Sequence, residues 1–177
     1  GALYRVLRAL ARDGLLDGVP TPLRAAARVH AAIVVQLAGD LELAIELAAN
    51  AVADAGGDRD LVAFARSVGG TAWLRAGRLD RAREELLASI DEGDDRLTGR
   101  PMVHLGEVEL AAGRLPEARD VLAAALDHCR RADDLTFATL AAGRLGHALA
   151  TLGEDPGPTW LAAIEEARAG RLPRVWW

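Results

Sequence analysis

The sequence predicts an all-α protein, built as an α-solenoid of about four antiparallel helix hairpins with an extra helix at the N-terminus. Three observations predict it. Four segments repeat one pattern around a glycine: Leu37 to Ala44, Leu74 to Ala82, Leu110 to Ala118 and Leu149 to Asp155, with Gly39, Gly77, Gly113 and Gly153 spaced 38, 36 and 40 residues apart. After two of these glycines the apolar residues recur every fourth position, as Ala82, Leu86 and Ile90 and as Ala118, Leu122 and Leu126, which places them along one helix face. Finally, 51% of the 177 residues are apolar, mostly Ala, Leu and Val, while only 4% are aromatic. That balance favours helices over a sandwich or barrel of strands.

Each part of the pattern has a physical role. Ala32, Gly70, Gly106 and Gly146 stand seven residues before the four glycines, and Ala44, Ala82 and Ala118 stand five after the first three. Small residues there let two antiparallel helices approach closely, and the glycine between them supplies the left-handed conformation that ends a helix. A single hairpin of this kind cannot bury its apolar face alone, whereas stacked copies can.

The elements follow in order. Helices are expected at about 3–14, 22–38, 41–55, 59–76, 80–92, 100–112, 116–131, 134–152 and 158–169. In the first, Leu3, Val6, Leu7, Leu10 and Leu15 form an apolar stripe opposite Arg5, Arg8 and Arg12. Thr21 followed by Pro22 predicts an N-cap with proline in the first turn. Asp80 and Asp133 are expected to cap their helices, and Pro116 fits a first turn. Pro156-Gly157-Pro158 replaces the regular start of the last helix, and Trp160, Leu161, Ile164 and Ala167 resume the pattern out of register. The expected organisation is a capping or linking helix over 1–20, the repeats over 21–172 (about 25–58, 63–96, 99–132 and 139–172) and a tail over 173–177. In that tail the pair Trp176-Trp177 is expected to fold back on the last helix as a cap, the alternative being an interface with another segment. Gly1 in place of Met marks the chain as an expected piece of a longer polypeptide.

Composition excludes several function classes. All 21 basic residues are Arg, interspersed among 26 acids for a net charge of −5, which is a solvated surface and not the footprint of a general nucleic-acid binder. The apolar stretches are too short to cross a bilayer, and no signal peptide is evident, so no membrane partner and a cytoplasmic setting are expected. The single cysteine, Cys129, allows no internal disulfide and reads as a small core residue. His30 and His104 are two repeats apart, and His128 and Cys129 point about 100° apart on a helix, so no metal and no cofactor are expected. Gly56-Gly57 and Gly69-Gly70 lack the lysine and spacing of a phosphate loop, and Ser67 lacks the flanking glycine of a nucleophile elbow. The acidic string Asp91 to Asp95 reads as a solvated turn. No carboxylate pair is singled out, and no enzymatic activity is expected.

The Leu105-Gly106 and Leu145-Gly146 pairs, the mid-repeat glycines, the alanines that follow them and the closing Ala125-Leu126 resemble the tetratricopeptide repeat family. The resemblance covers roughly residues 25–172 and is closest to the repeats of bacterial, notably actinobacterial, regulators. It implies a right-handed solenoid in which the first helix of each repeat lines a concave groove that binds peptides or proteins. By position, the lining is Val29, Ile33, Gln36 and Leu37; Phe64, Ser67, Thr71 and Arg75; Arg100, Val103, Glu107 and Leu110; and Leu140, Gly143, Arg144 and His147. The polar and aromatic members, Gln36, Phe64, Ser67, Thr71, Arg75, Arg100, Glu107, Arg144 and His147, are the expected contacts to a partner. Val29, Ile33, Ser67 and Val103 stand where some family members carry the Lys and Asn that clamp a terminal carboxylate, which disfavours that use. The stretch Leu3 to Leu10 also resembles the third helix of a winged helix-turn-helix, although the two preceding helices are absent. The expected function is a non-catalytic interaction scaffold with a protein or peptide partner, in a larger bacterial regulator, with self-association possible. The alternative is a domain that senses a ligand or peptide and controls an attached DNA-binding or ATPase domain.

Overall fold

The computed structural model describes residues 2–11, 16–94 and 97–168. Among these residues there are nine helices and no strand: α1 (Ala2–Ala11), α2 (Thr21–Leu37), α3 (Leu41–Asp54), α4 (Arg59–Arg75), α5 (Leu79–Glu92), α6 (Gly99–Ala111), α7 (Leu115–Arg131), α8 (Leu135–Leu152) and α9 (Gly157–Arg168). They form two compact units, one holding α1 to α5 and the other α6 to α9.

The turns explain why the helices end where they do. Gly39, Gly77, Gly113 and Gly153 all adopt positive φ, between 72° and 90°. At each, the residue after the glycine donates its N–H to a carbonyl five positions back: Asp40 to Val35, Arg78 to Trp73, Arg114 to Glu109 and Glu154 to Leu149. Each glycine donates to the carbonyl three positions back. This is the Schellman arrangement, which satisfies carbonyls that the helix leaves open. Asp133, at φ 55°, makes the same turn between α7 and α8, with Asp134 donating to the Cys129 carbonyl.

That last turn moves a cap. Asp134, not Asp133, accepts from the Phe137 N–H and caps α8, because Asp133 is spent on the left-handed position. Asp40 and Asp58 cap α3 and α4 in the same way. Asp80 does not cap α5: the N-cap is Arg78, and Asp80 lies in the first turn, where its charge still favours the helix N-terminus. Thr21 is already helical and Pro20 holds the N-cap position, so Pro22 stands one step further into α2 than expected.

In the first unit α2 and α3 pair, α4 packs on both, and α5 pairs with α4. α1 packs against α2 and α3, burying Leu7 and half-burying Leu10. Val6, expected on the apolar stripe, is 53% exposed, while Leu15 lies outside the described residues. The C-terminal carbonyls of α1 are bound from below: Arg28 donates to Leu10 and Asn50 to Ala11, with Arg28 also paired to Asp54. The core gathers Val29, Val35, Leu43, Leu47 and Val68 around small alanines. In the second unit α6 and α7 pair, α8 packs on both, and α9 packs on α8. Its core holds Val103, Leu122, Leu126, Cys129 and Leu145. The Trp176-Trp177 pair lies outside the described residues.

The glycines inside the helices set the pairing distance. A Cβ on Gly70 would lie 2.7 Å from Cγ of Leu86, and one on Gly106 would collide with Leu122. The out-of-register last helix keeps the same device: the Trp160 indole occupies the space over Gly146, where a Cβ would again collide.

Candidate interaction surface

The positions expected to line a groove belong to α2 and α4 in one unit and to α6 and α8 in the other, and the two faces differ. On α2 and α4, Gln36 is buried and donates to Oγ1 of Thr71 at 3.1 Å, while Thr71 donates to the Val68 carbonyl at 2.8 Å. This pair joins the two helices. Phe64 is half-buried and meets the His30 ring edge-on, with centroids 6.2 Å apart. Ser67 is half-buried, and Arg75 is exposed in the last turn of α4. Leu37 is 74% exposed at the end of α2.

On α6 and α8 the side chains form a connected surface cluster. Arg100 donates from Nε to Asp134 at 2.6 Å, and its guanidinium lies over the Phe137 ring at 5.1 Å. The same ring takes the His104 imidazole edge-on at 5.7 Å. His104 Nδ1 is 3.0 Å from one oxygen of Glu107, whose other oxygen accepts from Arg144 Nε at 2.7 Å. Burial pushes the Glu107 carboxyl up, but the hydrogen bonds and charges of His104 and Arg144 outweigh it and hold its pKa below the ordinary 4.5. Arg100 and Arg144 each keep about half of their side-chain surface in water. His147 is exposed one turn further along α8. Val29 and Val103, placed on the lining by family position, are fully buried and serve the core instead.

The structure therefore brings together three of the expected contacts, Arg100, Glu107 and Arg144, through three residues that were not among them: His104, Phe137 and Asp134. A signal for this exists in the sequence. His30 and Phe64 are 34 residues apart, and His104 and Phe137 are 33 apart. Both pairs become edge-on ring contacts between the first helices of neighbouring hairpins.

The two cations of the cluster are matched by two carboxylates. What it offers is a fixed ring face, fixed N–H donors and a carboxylate, with little side-chain freedom left to lose on binding. Among the described residues no group of three or more His, Cys, Asp or Glu lies close enough to hold a metal ion. No described helix is long and apolar enough to cross a membrane. Burial and the nearby Asp134 raise the Cys129 thiol to about 11, so at neutral pH it is protonated and a poor nucleophile. Neither a model of a known protein family nor a curated protein matches this sequence.

Proposed function

We propose that this chain is a right-handed solenoid of about four tetratricopeptide-type hairpins acting as a non-catalytic interaction module. It binds a peptide or protein segment across the first helices of its hairpins, in the cytoplasm of a bacterium and within a larger regulator. The repeat reading rests on the recurrence of one turn and one glycine-to-bulky contact along the chain. The binding reading rests on a single observation: Arg100, His104, Glu107, Phe137 and Arg144 hold one another in place across α6 and α8 while staying in reach of solvent. Side chains ordered in advance bind at a lower entropic cost, and exposed Arg beside an aromatic ring is a common anchor at interfaces.

A photo-crosslinking amino acid placed at Arg144 or His147 is expected to capture the partner, while the same group at Glu117 or Asp127 on α7 captures none. Arg75→Glu and Arg144→Glu are expected to weaken partner retention, with circular dichroism as the control for folding. Full retention by both variants, with cross-links only from α7, ends the proposal. If metabolites and not a polypeptide shift the melting temperature through this face, the module is a small-molecule sensor.

A further inference from the structure

Helices α8 and α9 are joined by a short turn and run antiparallel, with the Trp160 indole lying over Gly146. Beside that contact the groove between them is open. Trp160, Ala163, Ile164 and Ala167 recur at three- and four-residue steps along one face of α9, and Gly143 lines the groove from α8. About 600 Å³ of space lies there, within the range of about 300–1,000 Å³ that small-molecule sites occupy. Trp160 and Ile164 are 41% and 45% exposed.

Gly143 makes the groove deep. It stands three residues before Gly146, the place held by Val29 before Ala32, by Ser67 before Gly70 and by Val103 before Gly106. Both valines are fully buried and Ser67 is half-buried, whereas a Cβ on Gly143 would meet nothing within 4 Å. The groove therefore has the depth of a missing side chain.

Its polar groups gather at one end. Seven residues back from Gly146 stands Thr139, and seven on from Trp160 stands Ala167, with Arg168 beside it. In antiparallel helices these positions lie opposite each other, and both Thr139 and Arg168 border the groove. Arg168 is exposed and has no ion-pair partner among the described residues. The neighbouring Glu166 is already paired with Arg130 at 2.8 Å. The Thr139 hydroxyl donates to the Leu135 carbonyl at 2.9 Å and can turn to donate into the groove instead. From Trp160 to Arg168 the trough runs about 12 Å along α9, apolar for most of its length and cationic at its mouth.

We propose that this groove binds a small monocarboxylic acid with an elongated apolar body, its carboxylate on Arg168 and Thr139 and its far end against the Trp160 indole. One planar guanidinium matches one carboxylate in charge and in hydrogen-bond geometry. A phosphate dianion would call for a second cation, and no other Arg borders the groove among the described residues. The apolar body takes the space above Gly143, where it covers Ala163 and Ile164 and removes their surface from water. This site is separate from the partner-binding face and does not depend on it.

The test is titration calorimetry of the full chain with three probes: decanoate, 2-naphthylacetate and 1-decanol. The acids are expected to bind one per chain, and the alcohol, which lacks the charge, about tenfold more weakly than decanoate. Arg168→Glu should lower the affinity for both acids by about tenfold or more. Gly143→Leu, whose side chain enters the open space, should abolish binding, with circular dichroism as the control for folding. Arg168 is exposed, so its variant reports on the site even if Gly143→Leu unfolds the chain. Failure of both acids to bind overturns the proposal. So does decanol binding as tightly as decanoate, or a folded Gly143→Leu variant that keeps the parent affinity.

Discussion

A single hydrogen atom on Gly106 decides how closely α6 approaches α7. Leu122 fills the space that a methyl group would take, and Leu86 does the same over Gly70. In the first pair the two equivalent positions are both small, Ala32 and Ala48, and both are buried. Gly106→Ala should therefore destabilise, although alanine is the better helix former by about 1 kcal/mol. Overpacking costs about 1–3 kcal/mol, so the expected net loss is about 1 kcal/mol, read from urea unfolding. Leu122→Ala alone should cost about 2–5 kcal/mol, and the double variant less than the two losses added, because the methyl then enters the space Leu122 vacates. Strict additivity would show that the two residues do not share that space. At Glu107 the prediction concerns pH. Its folded pKa lies below 4.5, so its carboxylate stabilises the fold above that value, and the contribution is lost as pH falls through the depressed pKa. Glu107→Gln should be less stable than the parent at pH 7, and the gap between them should close as acid is added below pH 4.5. A gap that stays constant across that range would mean the His104 and Arg144 bonds do not depend on the carboxylate charge.

For the elements, what is legible in the sequence is what a local rule controls. Helix α4 was expected at 59–76 and spans Arg59–Arg75, and α8 was expected at 134–152 and spans Leu135–Leu152. Glycine at a left-handed turn leaves little choice about where a helix ends. The caps were less legible: two adjacent aspartates, Asp133 and Asp134, compete for two roles, and only the backbone decides that the first turns and the second caps. The surface cluster was half legible. Arg100, Glu107 and Arg144 follow from position, whereas the ring that organises them, Phe137, reads as one more apolar residue until a neighbouring helix brings His104 and Arg100 to it. α1 shows the same limit, since its amphipathic stripe gives no hint of what holds its C-terminus. Arg28 and Asn50 do so from other helices. Asn50→Ala removes one bond to the Ala11 carbonyl, worth about 1 kcal/mol. Amide exchange in α1 should then quicken about fivefold, with α2 and α4 unchanged. Equal exchange before and after would show that packing of Leu7 and Leu10 holds α1 without that bond.

Among the described residues, most of the buried apolar residues fall into two clusters that share no member. One runs from Leu7 to Ala72 and the other from Val103 to Ala163. When side chains bury themselves mainly against the preceding and following helices, stability is a sum of local contributions, and opening can be local as well. Leu47 and Leu122 are each fully buried and each lie on the second helix of a pair. Truncating either to alanine removes about the same apolar volume and should cost about 2–5 kcal/mol. The two variants should nevertheless differ in where protection is lost. In Leu47→Ala the amides of α2, α3 and α4 should exchange faster while those of α6 to α8 keep their parent rates, and in Leu122→Ala the pattern should reverse. Peptide-resolved hydrogen exchange by mass spectrometry separates these cases. Uniform loss of protection along the chain in both variants would mean that the two clusters unfold as one cooperative core, and that summing hairpin by hairpin is the wrong account of this protein's stability.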